Sequence, residues 1–134
     1  MLGLHFVDDV TRTPTVDDGS GRDRATRSEP HSLLNRTGGD LLVEDPLEIL
    51  FDAPIQRVGA YIGNFDPGDP DTPRTALLTA YDGAGMPLFT VSRTDFGPDV
   101  TTFLGLDVGS ARIRKLHLSY GPGTVEEIDD LLVE

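Results

Sequence analysis

The chain has 134 residues and no cysteine, and its 23 acidic side chains outnumber its 11 basic ones, giving a formal net charge of −12 at pH 7. So acidic a chain argues against nucleic acid and anionic membranes as partners, because both are bound through basic surfaces. The lack of cysteine excludes thiol catalysis, cysteine-ligated metal centres and disulfides, and the length fits one domain.

The N-terminal third combines a strand-like start with a long polar stretch. Residues 2–7 alternate between apolar and other side chains, which predicts a strand. The stretch from Thr11 to Pro30 is almost free of apolar residues and balances four acids with four arginines. It predicts a long polar loop at about 11–32. A short edge strand or a surface helix within it is the alternative.

The remainder consists of short alternating segments separated by Gly, Pro, Asn and Asp. These segments predict strands at 47–51, 58–62, 75–81, 86–92, 100–108, 111–120 and 125–133. The spacing of Ile128 and Leu131 leaves a short helix as an alternative for the last one. In all, about eight strands and no long helix predict an all-β, antiparallel sandwich or barrel.

In the predicted strand at 111–120, the apolar residues shift from odd-numbered to even-numbered positions. Ala111 and Ile113 share one parity, whereas Leu116, Leu118 and Tyr120 share the other. A β-bulge near Lys115 would turn both sets toward the core.

Three motifs carry a resemblance to a known class of domain. They are FDAPIQRVGAYIG at 51–63, LTAYDGAG at 78–85 and IDDL at 128–131. Over about residues 33–134 the chain resembles bacterial secreted or cell-surface jelly-roll domains, similar to the galactose-binding-like, carbohydrate-binding-module-like sandwiches of exported sorting-signal proteins. The resemblance implies a jelly-roll β-sandwich, and with the length of the chain it predicts a single such domain over 1–134.

The resemblance also implies a function and a location. It predicts a non-catalytic extracellular binding module, secreted or at the cell surface, for carbohydrate or another surface ligand. Residues 1–7 lack the basic start of a signal peptide, so this location rests on the resemblance alone. The alternative is a self-associating structural protein, such as a surface-layer, filament or particle-decorating domain.

The candidate sugar-binding residues are aromatic side chains next to turns. β-Sandwiches bind sugars by stacking a ring on an exposed aromatic while polar groups hold the hydroxyls. The candidates are Tyr61, Phe65 and Tyr120, with Arg57 as a polar partner. Asp66 and Arg93 are further polar candidates. Packing in the core is the alternative for each aromatic residue.

Calcium is the one cofactor that the sequence suggests. Asn64, Asp66, Asp69 and Asp71 place several oxygen ligands in one turn, and Ca²⁺ is bound by oxygen. A solvated Asp-Pro turn is the alternative.

The resemblance implies a second calcium candidate, in which Asp8 or Asp9 joins Asp129 or Asp130 as ligands. Charges that protect a strand edge are the alternative there.

The sequence offers no motif for catalysis. His5, His31 and His117 lack metal-ligand spacing, and no serine stands in a G-x-S-x-G turn. We therefore expect that the protein is not an enzyme.

Overall fold

The computed structural model describes residues 4–6, 15–17, 32–34, 46–65, 75–94, 96–97, 99–121 and 125–134. The strands within these residues are β1 (Leu4–Phe6), β2 (Thr15–Asp17), β3 (Ser32–Leu34), β4 (Leu47–Ile55), β5 (Arg57–Phe65), β6 (Thr75–Tyr81), β7 (Pro87–Thr94), β8 (Thr102–Asp107), β9 (Ile113–Ser119) and β10 (Val125–Val133). In these described ranges no helix is long and apolar enough to cross a membrane.

The strands form two five-stranded sheets. The first sheet has the order β1-β4-β9-β6-β7, and the second has the order β2-β3-β10-β5-β8. All their pairings are antiparallel. From β7 onward, successive strands change sheet each time, as in a jelly roll. The prediction of an all-β, antiparallel sandwich is confirmed.

The core follows from alternation along the central strands. Leu47, Ile49 and Phe51 are buried on β4, and Ala76, Leu78 and Ala80 are buried on β6. Their counterparts on the second sheet are Val58, Ala60, Ile62, Leu104 and Leu106. Because side chains alternate between the faces of a strand, the residues between these positions face outward.

The N-terminal stretch is more regular than the predicted loop and contains the short edge strand that the sequence left as an alternative. The predicted loop at about 11–32 contains β2, and β3 begins at Ser32, its last residue. β2 pairs with β3, and β3 with β10. A three-residue edge strand is held by backbone hydrogen bonds, so it needs no run of alternating apolar residues and leaves little trace in the sequence. β2 and β3 account for the difference between the eight predicted strands and the ten in the described residues.

A register shift lies beside Lys115, where a bulge was predicted, but its extra residues are on β4 and not on the predicted strand. Leu50 pairs with Lys115 and Ile55 pairs with Ile113, so β4 advances by five residues where β9 advances by two. Both Ile113 and Leu116 are buried despite their opposite parity, as predicted. The final segment, Val125–Val133, is a strand and not a helix.

Candidate functional site

The outer surface of the second sheet is built by the alternation of β5. Val58, Ala60 and Ile62 point into the core. Arg57, Gly59 and Tyr61 therefore lie on the opposite side of the same strand. On β8 the buried residues are Leu104 and Leu106, which leaves Phe103, Gly105 and Asp107 facing outward.

The register joins these outward residues in three cross-strand pairs. Arg57 lies opposite Asp107, Gly59 opposite Gly105, and Tyr61 opposite Phe103. We call these six residues the aromatic face. The face has a charged end, a middle without side chains and an aromatic end.

At the aromatic end, Tyr61 and Phe103 pack edge to face. Their ring centroids are 5.3 Å apart and their planes make an angle of 62°, a favourable geometry for two aromatic rings. Phe103 remains 51% exposed. Much of its ring surface is therefore open to solvent.

The glycines in the middle let the Phe103 ring lie low on the sheet. A Cβ on Gly59 would stand 2.4 Å from the ring atom Cζ of Phe103, and one on Gly105 would stand 2.9 Å from Cε1. Neither glycine has a positive φ, so the close approach of the ring is what requires glycine here.

At the charged end, Arg57 bridges two acids. Its Nε lies 2.7 Å from Asp107 Oδ2, and its Nη1 lies 3.0 Å from Glu134 Oε2. The hydrogen bond to Asp107, with the nearby charge of Glu134, raises the pKa of Arg57. The guanidinium is thus held in place and remains charged.

Asp107 is fixed from several sides. Its Oδ1 accepts hydrogen bonds from the backbone N–H of Gly109 at 2.6 Å and from Gln56 Nε2 at 3.2 Å. These bonds, the first of them above all, and the contact with Arg57 lower the pKa of Asp107. The carboxylate is therefore ionised and held in one orientation.

A shallow cleft of about 320 Å³ lies between the two ends and the last strand. Its wall on β10 is Leu132, which pairs with Gly59 and is 54% exposed. Phe103 and Leu132 supply apolar surface, while Arg57 and Glu134 supply hydrogen-bonding groups at the rim. Such a surface suits a ligand with one apolar face and several hydroxyl groups.

The structure brings two of the predicted ligand residues together and separates others. Arg57 and Tyr61 share the aromatic face. The side chain of Phe65, like the whole of Asp66, lies outside the described residues. Arg93 belongs to β7 in the other sheet, away from Arg57.

Tyr120 is in the core, so its assignment to a ligand-binding surface is corrected. It is only 5% exposed, its hydroxyl donates to the Glu127 carbonyl at 3.0 Å, and its ring packs on Phe96. Burial raises its pKa well above the ordinary value.

The predicted metal ligands are only partly described. Asn64, as a side chain, and Asp66, Asp69 and Asp71 lie outside the described residues, as do Asp8 and Asp9. Asp129 is buried, and its Oδ1 accepts the backbone N–H of Asp130 at 2.7 Å. Where the structure describes side chains, no group of three or more His, Asp or Glu converges to hold a metal ion.

Sequence reasoning missed Phe103 and the role of the two glycines, Gly59 and Gly105, over which its ring lies. The buried parity of Leu104 and Leu106 would have placed Phe103 outside. A glycine within a strand signals close approach of another group, and Gly59 and Gly105 both gave that signal. Their partner was not visible, because the pairing of β5 with β8 joins residues far apart in the chain.

Comparison with known proteins supports the fold. No protein-family model matches the chain, and no curated protein matches it significantly. Among solved structures it is similar to a fucose binding module of Streptococcus pneumoniae, with 12% identity and a TM-score of 0.51, over 96% of this chain and 98% of that one. The prediction of a galactose-binding-like β-sandwich is confirmed as a fold.

Proposed function

We propose that this protein is a non-catalytic extracellular carbohydrate-binding module and that the aromatic face is its sugar site. The observation that carries the proposal is the open pair of Tyr61 and Phe103, set beside the fixed charges of Arg57 and Asp107 on one surface. The structural similarity to a fucose binding module supports carbohydrate as the ligand class.

The two ends of the face suit the two kinds of surface on a sugar. A pyranose ring presents C–H groups on one side, and these pack well on the π-face of an aromatic ring. Phe103 offers such a face, since its ring lies over Gly59 and Gly105, which have no side chains. The sugar ring would lie against Phe103, with the tilted ring of Tyr61 forming a second wall.

The charged end would bind the hydroxyl groups. Carboxylate oxygens of Asp107 and Glu134 accept hydrogen bonds, and the guanidinium of Arg57 carries five N–H donors, more than its two acidic contacts use. Because these groups already hold one another, little side-chain entropy would be lost on binding.

The test is a binding screen against a broad glycan panel, with fucosylated oligosaccharides included, followed by calorimetry on any ligand found. Removing the platform by Phe103→Ala should weaken binding at least tenfold, about 1.4 kcal/mol. Tyr61→Ala should weaken it as well. Phe89→Ala is the matched control, because Phe89 is a similarly exposed phenylalanine, at 55%, on the first sheet.

The outcomes separate the proposal from its alternative. Loss of binding in Phe103→Ala with retention in Phe89→Ala supports the sugar site. Binding that survives Phe103→Ala would place the site elsewhere. A wild-type protein that binds no glycan on the panel and forms large assemblies in solution would favour the structural role.

A further inference from the structure

A second cleft, of about 830 Å³, lies on the first sheet. It opens where β4 and β9 lose their register, because residues 51–54 of β4 have no pairing partner on β9 between Leu50 and Ile55. The turn at residues 82–85 closes its far side. Since Leu50 and Lys115 pair on the solvent side of this sheet, the cleft faces away from the aromatic face of the second sheet.

The lining of this cleft is basic in a protein that is strongly acidic. Arg112, Arg114 and Lys115 all border it, against the acids Asp52 and Asp82. The lining therefore carries a net charge of about +1, while the chain as a whole carries −12. Glu48, which is not among the lining residues, pairs with Lys115, so the positive charge that can attract an anion is that of the two arginines.

Two of the charged lining residues, Asp82 and Lys115, already have partners. Asp82 Oδ1 accepts the backbone N–H groups of Ala84 at 2.8 Å and Met86 at 2.9 Å, so this carboxylate shapes the turn. Lys115 Nζ lies 3.5 Å from Glu48 and 5.0 Å from the centre of the Tyr81 ring. Both side chains help to build the wall of the cleft.

Unlike Lys115, the two arginines of the lining have no acidic partner among the described residues. In the part of the chain that the structure describes, neither Arg112 nor Arg114 forms an ion pair, although the chain has 23 acids. Arg114 is half-buried, and its Cγ would lie 3.6 Å from a Cβ on Gly83. A planar guanidinium binds carboxylates through two parallel hydrogen bonds.

We propose that this cleft binds a carboxylate-bearing sugar, such as a hexuronate unit of an acidic glycan. Its volume lies in the range of small-ligand sites, and Arg112 and Arg114 supply positive charge that no ion pair among the described residues neutralises. Arg112 and Arg114 would hold the carboxylate, and the polar turn would face the hydroxyls. The choice of a sugar rests on the proposed function, whereas the location and charge of the cleft do not.

The test uses digalacturonate as the probe and its neutral methyl ester as the matched ligand. Titrations are followed by amide chemical shifts, which report where each probe binds. We expect digalacturonate to shift the amides of residues 82–85 and 112–115 and to bind at least tenfold more tightly than the ester. Arg112→Gln/Arg114→Gln should remove this preference, and Arg93→Gln, an exposed arginine on β7, should keep it.

Each result bears on a different claim. If the ester binds as tightly as the acid, or if the double variant binds the acid as well as wild type, the proposal is wrong. Equal competition by inorganic phosphate would also contradict it, because it would indicate a general anion site. Arg112→Gln alone, at an exposed position, serves if the double variant does not fold. Shifts confined to β5 and β8 would support the aromatic face and contradict the cleft.

Discussion

The ring of Phe103 lies directly over Gly59, so that a Cβ on this glycine would stand 2.4 Å from the ring atom Cζ. The glycine is needed for the space that it leaves, because its φ is not positive. The two residues belong to neighbouring strands of the proposed sugar site. Their contact therefore links the shape of the face to its stability.

Gly59→Ala should destabilise the protein by displacing the ring. The half-exposed Phe103 can swing outward, so the expected cost is about 0.5–1.5 kcal/mol, the worth of an aromatic pair. In a Phe103→Ala background the same substitution should cost less, because the clashing ring is gone and the remaining close contact is the Gly105 Cα at 3.3 Å. Denaturant unfolding of the four proteins measures this coupling.

Gly105→Ala is the matched comparison. Its Cβ would meet the Val58 carbonyl oxygen at 3.1 Å as well as the ring of Phe103. Since backbone cannot swing away, this variant should stay destabilised by about 1–3 kcal/mol in both backgrounds. Equal rescue of Gly59→Ala and Gly105→Ala by Phe103→Ala would contradict this account.

The sequence predicted the parts of the fold that depend on local alternation. The buried positions of β4 and β6, and the phase change between Ile113 and Leu116, were all visible as parity. Parity could not reveal which strands pair. The contact of Phe103 with its glycines therefore remained hidden.

The same limit explains the error at Tyr120. Its place next to a turn suggested a surface residue, but its hydroxyl finds the Glu127 carbonyl on β10, and its ring finds Phe96. The sequence does not show whether a tyrosine hydroxyl forms its hydrogen bond with water or with a buried carbonyl. Only the tertiary packing decides between the two.

The hydrogen bonds to Asp107 predict a loss of stability in acid. Folding lowers the pKa of this carboxyl, so its contribution is present above the ordinary aspartate pKa and is lost as pH falls through the folded value. Asp107→Asn should flatten the acid side of a plot of unfolding midpoint against pH. The effect is small because the group is exposed to solvent.

The variant Arg57→Gln tests whether the backbone N–H of Gly109 or the ion pair with Arg57 is the main cause of the lowered pKa of Asp107. The leading cause is the backbone N–H of Gly109, which this variant keeps. The pKa of Asp107, followed by carboxyl NMR, should therefore stay below its ordinary value in Arg57→Gln. A return to the ordinary value would show that the ion pair dominates.

Tyr120 predicts a loss of stability in alkali. Burial raises its pKa, so the neutral phenol stabilises the fold below the ordinary tyrosine pKa, and this contribution is lost as pH rises beyond it. Tyr120→Phe removes this alkaline dependence but leaves the Glu127 carbonyl without the hydroxyl donor, at a cost of about 1–3 kcal/mol near neutral pH. Thermal melts across pH measure both effects.

Tyr81→Phe is the control for this prediction. The Tyr81 ring packs on His117, and in the described structure its hydroxyl makes no hydrogen bond. This substitution should therefore leave the melting temperature near neutral pH almost unchanged. Equal destabilisation by the two variants would contradict the role given to the buried hydroxyl of Tyr120.

Calcium binding remains a prediction with two candidate sites. One is the turn with Asn64, Asp66, Asp69 and Asp71, and in the other Asp8 or Asp9 joins Asp129 or Asp130 on the last strand. A cation that binds only the folded protein raises its free energy of unfolding, by about 2.7 kcal/mol when the cation concentration is 100 times the dissociation constant. The melting temperature rises as a result. We expect a higher melting temperature in calcium than in chelator, with little effect of Mg²⁺, which prefers a tighter octahedral site.

Substitution then tells the two sites apart. If the turn holds the ion, Asp66→Asn/Asp69→Asn should abolish the calcium-dependent shift while Asp129→Asn/Asp130→Asn keeps it, and the reverse result assigns the last strand. Asp129 is buried, so its variant also changes the baseline stability, and each protein is compared with itself in chelator. Identical melting of the wild-type protein in calcium and in chelator would contradict both sites. In that case the acidic turn would be explained by solvation of its Asp-Pro sequence alone.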